Sequence, residues 1–194
     1  MEILLFEDLV NKGFSKKAIF KEIARLEKEF FPAYPYTAKD IENSHKQSRG
    51  HTLILLDKNK VCGHLIPIIF DNKDYLQILT VVVDERCQKR GYGTKLIQSC
   101  EKTANKLKLR RIVARADAAY PILKTLKNLK YFAMTLEEIS EFTKDGLFSA
   151  KDKIEKNNAD LTAAKLFGEY YTVTKDIGKE NPFIFIPMIK NLGR

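Results

Sequence analysis

No hydrophobic run in the 194-residue sequence is long enough to cross a membrane as a helix. The longest, Val61 to Phe70 and Leu76 to Val83, are broken by His64 and Pro67 and by Gln77, whereas a spanning helix needs about 20 apolar residues. The first residues, Met1-Glu2-Ile3-Leu4-Leu5-Phe6-Glu7-Asp8, carry neither a positive leader nor a small-residue cleavage site, so a cytoplasmic location is expected. Cysteine is scarce: Cys62, Cys87 and Cys100 are odd in number and widely spaced, fitting neither a disulfide framework nor a zinc pattern. They read as ordinary thiols, and no metal is expected. Internal repeats and low-complexity linkers are also absent.

What remains is an ordinary globular composition. Hydrophobic residues make up 44% and charged residues 30%, which excludes disordered and collagen-like chains, and the length suits one domain over residues 1–194. The net charge of +9 suits an anionic partner such as RNA, DNA or a phosphorylated cofactor. Only eight of the 34 basic residues are arginine, however, and the lysines are spread along the whole chain, as an AT-rich genome also produces. Nucleic acid therefore stays an alternative partner, not the favoured one.

Hydrophobic spacing predicts the order of elements. Met1 to Phe6 reads as a short strand, and Ser15 caps a helix with Ile19, Ile23, Leu26 and Phe30 inward. The link Phe31 to Tyr36 breaks it, and Thr37 with Asp40 opens a second helix through about Gln47. Thr52 to Leu56 and Val61 to Ile69 are strands joined by the turn Asp57 to Lys60, and Tyr75 to Val83 is a central strand apolar on both faces. A helix from Thr94, a strand Arg111 to Ala116, a short helix Pro121 to Leu129 and an extended Tyr131 to Thr135 follow. Thr135 to Glu138 has a capping-box pattern, Ser149 to Lys156 and Asp160 to Phe167 look helical, and Pro182 to Ile189 looks like a last strand. The stretch 136–178 is long for a connection, so it is expected to be a helical insertion. The order is mixed α/β with one parallel crossover after the central strand.

The strand-to-helix loop, Val83-Asp84-Glu85-Arg86-Cys87-Gln88-Lys89-Arg90-Gly91-Tyr92-Gly93-Thr94, has the composition of an anion cradle. Glycines there let backbone N–H groups converge, the helix start adds partial positive charge, and Lys89, Arg90 and Lys95 reinforce it. No G-x-x-x-x-G-K-[ST] and no G-x-G-x-x-G with a following acid occurs, which argues against a nucleotide triphosphatase or an NAD enzyme.

Gln88-Lys89-Arg90-Gly91-Tyr92-Gly93 resembles the acetyl-CoA loop of the GNAT acyltransferase superfamily, [QR]-x-x-G-x-[GA]. The preceding apolar strand, the following helix, the upstream hairpin with Gly63 and the downstream strand-helix-aromatic unit fall in family order, so the likeness covers about residues 52–132. Gln88 to Leu96 and Ala116-Asp117-Ala118-Ala119-Tyr120 are most similar to the histone lysine acetyltransferase branch. The resemblance implies an α/β GNAT fold: a mixed, mainly antiparallel sheet with flanking helices. It implies acetyl-CoA as cosubstrate, with Val81, Val82 and Val83 holding the pantetheine arm through their main chain. Gln88, Lys89, Arg90, Gly91, Tyr92, Gly93 and Thr94 would wrap the pyrophosphate. The acceptor would contact Phe31 to Tyr36 and the segment before the last strand.

The catalytic pattern departs from the family at two points. Where the histone branch has a glutamate base on the central strand, eleven residues before the loop glutamine, this sequence has Gln77. Its amide accepts no proton, so Gln77 either orients a relaying water or fills a buried hydrogen-bond site. The tyrosine that many members place in the short helix as thiolate acid falls near Leu126, which leaves Tyr120, before Pro121, as the nearest substitute or else as a core aromatic. His45 and His51 read as solvated, and His64 as a satisfied core or rim histidine. The function expected is an N-acetyltransferase acting on a primary amine by direct attack in a ternary complex. The alternatives are a GNAT-fold CoA-binding module with weak chemistry and an RNA- or DNA-contacting protein.

Overall fold

The computed structural model describes residues 1–33, 35–117, 122–149, 151–156, 167, 170–175 and 183–192. The chain divides into two compact units, Met1–Ile112 with Leu192–Arg194, and Val113–Asn191.

The first unit begins with β1 (Glu2–Leu5), α1 (Phe6–Asn11), α2 (Lys16–Phe30) and α3 (Ala38–Gln47). The short α1 was not legible in the sequence, because Phe6 and Leu9 are its only buried positions. Ser15 stands at the start of α2 as expected but makes no side-chain cap, whereas Thr37 and Asp40 form the reciprocal capping box of α3. β2 (Leu53–Asp57) and β3 (Lys60–Ile69) join through Lys58 and Asn59, both at positive φ (46° and 65°), the left-handed pair that matches strand twist. β4 (Tyr75–Val83) follows, then a 3-10 turn at Glu85–Cys87 and α4 (Tyr92–Lys106), which starts two residues before Thr94. The strands run in the order β1-β2-β3-β4, each neighbouring pair antiparallel.

One face of this sheet is covered by the first three helices. Phe6 and Leu9 of α1, Ile19, Ile23 and Leu26 of α2 and Ile41 of α3 bury against Ile54, Ile66, Ile68 and Val82. α4 packs on β2, β3 and β4 through Leu96, Ile97, Cys100 and Ala104 and contributes nothing to that cluster. Between β3 and β4 the register shifts: Ile66 faces Thr80 but Pro67 faces Ile78, so Leu79 is bulged out of the ladder. Pro67 has no N–H to donate, which is the local reason for a bulge there. Its consequence is geometric, since a bulge reverses the inside-outside alternation downstream of it.

The second unit contains most of β5 (Arg111–Asp117), whose first two residues belong to the first unit. α5 (Ile122–Asn128), β6 (Phe132–Ala133), α6 (Leu136–Lys144), β7 (Lys153–Lys156), β8 (Tyr171–Lys175) and β9 (Phe183–Asn191) complete it. The order is β5-β9-β8-β7 with β6 on β9, and the β6–β9, β7–β8 and β8–β9 pairs are antiparallel. Arg115 donates to the Leu147 carbonyl at 2.6 Å and lies over the Phe185 ring, which ties the turn after α6 to β9. Thr135 and Glu138 form the expected capping box of α6.

One expectation is corrected here. Ser149 to Lys156 is not helical: Lys153–Lys156 is β7, paired with β8. Ser149 and Asp152 close only a turn, with the Ser149 N–H bonded to Asp152 and the Lys151 N–H to the Ser149 hydroxyl. Among its described residues, the stretch 136–178 holds the helix α6 and the strand pair β7 and β8. Asp160 to Phe167 lies outside the described residues except for Phe167. Among the described residues, nine mostly antiparallel strands with flanking helices make the fold α/β as expected. No helix among them is long and apolar enough to cross a membrane.

Candidate functional site

The strand-to-helix loop is held at its start by a buried carboxylate. Asp84 is 2% exposed, donates its N–H to the Cys62 carbonyl at 2.8 Å, and accepts from the Arg86 N–H at 3.0 Å and the Arg86 guanidinium at 2.6 Å. Arg25 of α2 lies 3.6 Å away. The hydrogen bonds from Arg86 outweigh burial and hold the Asp84 carboxyl down at about 2, so it is ionised at any ordinary pH. Gln88 donates its side-chain N–H to the Val83 carbonyl at 2.8 Å. Gln88 therefore braces the end of β4 with that amide hydrogen.

Past Gln88 the chain turns sharply. Lys89 (φ 58°) and Gly91 (φ 76°) both take the left-handed conformation, and Gly91 is the residue before α4. No side chain caps this helix, and its first turn holds no acid. Its first backbone bond runs from the Lys95 N–H to the Gly91 carbonyl, leaving the N–H groups of Tyr92, Gly93 and Thr94 without an intrahelical acceptor. A methyl group on Gly91 or Gly93 would meet nothing within 4 Å, so the space beside these two glycines is open. Lys89 and Arg90 are exposed and make no ion pair among the described residues, while Lys95 reaches over the Tyr92 ring. Open donors, glycines and unpaired cations at one helix start fit the diphosphate of coenzyme A.

On β4 itself, Gln77 faces Ile68 and is 5% exposed, with no hydrogen-bond partner for its amide among the described residues. Thr80, beyond the bulge, donates to Glu27 of α2 at 2.6 Å, and the same carboxylate oxygen lies 2.7 Å from His64 Nε2. Glu27 and His64 are wholly buried. Sequence reasoning missed Glu27, yet a signal was present: it stands four residues after Ile23 and three before Phe30, on the apolar stripe of α2. His64 is the core histidine expected. His45 is not solvated as expected: it is 8% exposed, with Nδ1 at 3.0 Å from Thr52 and Nε2 at 3.3 Å from Glu7. His51 is half-buried. Tyr120 lies outside the described residues.

The cysteines are buried and unpaired with one another by disulfide. Burial pushes the Cys62 and Cys100 thiols up to about 12, which removes them as nucleophiles near neutrality. No group of three His, Cys, Asp or Glu is placed to hold a metal among the described residues.

The profile of the Acetyltransferase (GNAT) family matches residues 17–121, more than half of the chain. No curated protein matches the sequence significantly. Among solved structures, Ard1 from Thermoplasma volcanium is similar over 100% of this chain and 98% of its own, with a TM-score of 0.65 and 12% identity. The ribosomal-protein-S18-alanine N-acetyltransferase from Escherichia coli is similar over 100% and 94%, with a TM-score of 0.61 and 14% identity. A phosphinothricin acetyltransferase from Sinorhizobium meliloti, solved in complex with AcCoA, is similar over 99% and 88%, with a TM-score of 0.62 and 12% identity. At such identities these structures speak for the fold alone. The profile match, on a chain that carries the glycine-opened loop between β4 and α4, shows that this protein belongs to the GNAT acetyltransferase family and is an acyltransferase.

Proposed function

We propose that the protein transfers an acetyl group from acetyl-CoA to a primary amine by direct attack within a ternary complex. The carrying observation is the uncapped start of α4, with open space at Gly91 and Gly93 and the unpaired cations Lys89 and Arg90 beside it. Acetyl-CoA supplies an activated acyl thioester. Tyr92, Gly93 and Thr94 offer their N–H groups to the diphosphate, Gln88 braces the Val83 carbonyl, and the main chain of Val81 to Val83 serves the pantetheine arm. An alkylammonium, with pKa about 10.4, must lose a proton before it attacks, and Gln77 is unable to take it. Gln77 favours a second reading, a cytoplasmic CoA-binding module of weak activity.

The deciding experiment measures thiol release from acetyl-CoA against a lysine peptide, an alanine-initiated peptide, spermidine and an aminoglycoside. Amine-dependent release supports the enzyme. A rise in Tm with CoA but no release with any amine supports the binding module, and no CoA effect at all overturns both.

A further inference from the structure

The bulge at Leu79 has a chemical consequence. Gln77 and Thr80, three residues apart, stand opposite Ile68 and Ile66, and so share the face on which His64 lies. Thr80 is 6% exposed, whereas Glu27 and His64 beneath it are fully buried. Glu27 Oε2 and His64 Nδ1 are buried with no hydrogen-bond partner among the described residues. Leaving such groups half satisfied is costly, and apolar residues in their place are often neutral or stabilising. Packing alone therefore does not account for a carboxylate under β4.

We propose that Glu27 is the proton acceptor of the acetyl transfer, acting through the Thr80 hydroxyl. The inference deepens the function proposed above and rests on it. The Thr80 hydrogen is committed to Glu27 Oε1 at 2.6 Å, which leaves the hydroxyl's lone pairs to accept from the acceptor ammonium, or from a water at Gln77. One N–H bond of the ammonium breaks and its proton passes to the Thr80 oxygen, while the Thr80 proton passes to Glu27. The freed nitrogen pair then forms the C–N bond as the C–S bond breaks. The second nitrogen proton goes to the departing thiolate, and Glu27 returns its proton to solvent along the same path. Thr80 is the residue that touches the acceptor. Glu27 acts through it, and His64, 2.7 Å from the same oxygen, positions the carboxylate.

Around this carboxylate β3 contributes His64 and β4 contributes Thr80. The other charged groups on the packed elements are exposed or engaged elsewhere. Arg25 and Glu29 of α2 pair with each other, Lys28 is exposed, Asp84 beyond β4 is held by Arg86, and His45 of α3 bonds Thr52 and Glu7.

The test is a kcat–pH profile of the full chain from about pH 6 to 10, with saturating acetyl-CoA and the lysine peptide or spermidine as acceptor. The expected profile reaches a plateau well below the acceptor's own pKa of about 10.4, with the same midpoint for acceptors of different basicity. Glu27→Gln and Thr80→Val are expected to lower kcat near neutrality by about 100-fold and to abolish the plateau, so that the rate climbs toward the amine's pKa. Thr80→Ser restores the plateau, and every variant keeps the rise in Tm with CoA.

A profile of the unmodified protein that tracks the acceptor's pKa overturns the inference, as does a plateau retained in Thr80→Val. Loss of kcat together with the CoA-induced rise in Tm shows a packing role and also overturns it. Thiol release with neither amine, alongside an intact CoA effect, is instead the failure of the enzyme reading, and the inference falls with it.

Discussion

Replacing Gly63 with alanine tests how β3 sets the position of β4, the strand proposed to hold the cofactor. An added methyl at Gly63 would lie 2.7 Å from the Val82 carbonyl oxygen, 3.3 Å from Val83 Cα and 3.2 Å from a Leu55 methyl. The Leu55 methyl is the end of a flexible side chain and yields, but the other two contacts are main chain. Relieving the Val82 contact to an ordinary 3.4 Å requires β3 and β4 to part by about 0.7 Å at the point where Gly63 faces Val83. Overpacking of this kind costs about 1–3 kcal/mol, and a backbone obstacle places the change in the upper half of that range. For a chain of this size the expected loss is about 4–12 °C in Tm. The same displacement moves the Val82 and Val83 main chain, so CoA affinity is expected to fall by about tenfold, equivalent to about 1.4 kcal/mol of lost contacts. Thermal melts and calorimetric titration with CoA read the two effects separately. A Tm within a degree of the unmodified protein and a CoA Kd within twofold would refute the reasoning that β3 sets the cofactor strand.

At the loop, Gly91→Glu places a carboxylate in a left-handed position against the uncapped helix start, so the CoA-induced rise in Tm should vanish; a retained Kd would remove this loop from the site. Gly93→Ala is the contrast: its methyl meets nothing, so apo Tm should hold or rise slightly while CoA affinity falls, and unchanged affinity would mean that the helix start does not face the ligand. Asp84→Asn removes a carboxylate held at about 2 by Arg86, and with Arg86 exposed to solvent screening the expected cost is about 1–2 kcal/mol, read as a Tm lower by about 2–8 °C at pH 7. That contribution is present above the ordinary Asp range and fades as pH falls from 3.8 toward 2, so the gap between the two proteins should narrow only in strong acid. Burial lowers the pKa of His45 below 6.5 against the opposing pull of Glu7, so the fold holds it neutral and loses stability as pH falls through and below 6.5. His45→Gln should flatten the fall in Tm between about pH 7 and 5.5, and parallel curves would show that His45 is not the group responsible.

The geometry of the loop proposed to hold the cofactor is largely local and was therefore legible in the sequence. An apolar run, a loop with two glycines and an amphipathic helix specify a strand, a turn and an uncapped helix start through backbone preferences that act within a dozen residues. Lys89 and Arg90 need only be exposed to act, and the sequence supplied their charge. The role of Gln88 was only half legible, because its bond to the Val83 carbonyl depends on how the loop doubles back after the 3-10 turn.

The cluster of Glu27, His64 and Thr80 proposed to take the proton was not legible, because it depends on three segments far apart in the chain. Sequence alone determined that residue 77 is a glutamine and that β4 is apolar on both faces; it carried no information on which of its residues share a face. Pro67, on the neighbouring strand, lacks the N–H that a regular ladder needs, and the resulting bulge at Leu79 turns Thr80 onto the side of Gln77. Glu27, read from the sequence, is one charge on a helix. Only the packing of α2 across β3 and β4 brings it within 2.7 Å of His64 and 2.6 Å of Thr80, 37 and 53 residues away. Local propensity fixes where strands and helices run, because its causes lie within a few bonds. Which polar groups meet inside them is decided by register and packing, which exist only once the chain has folded.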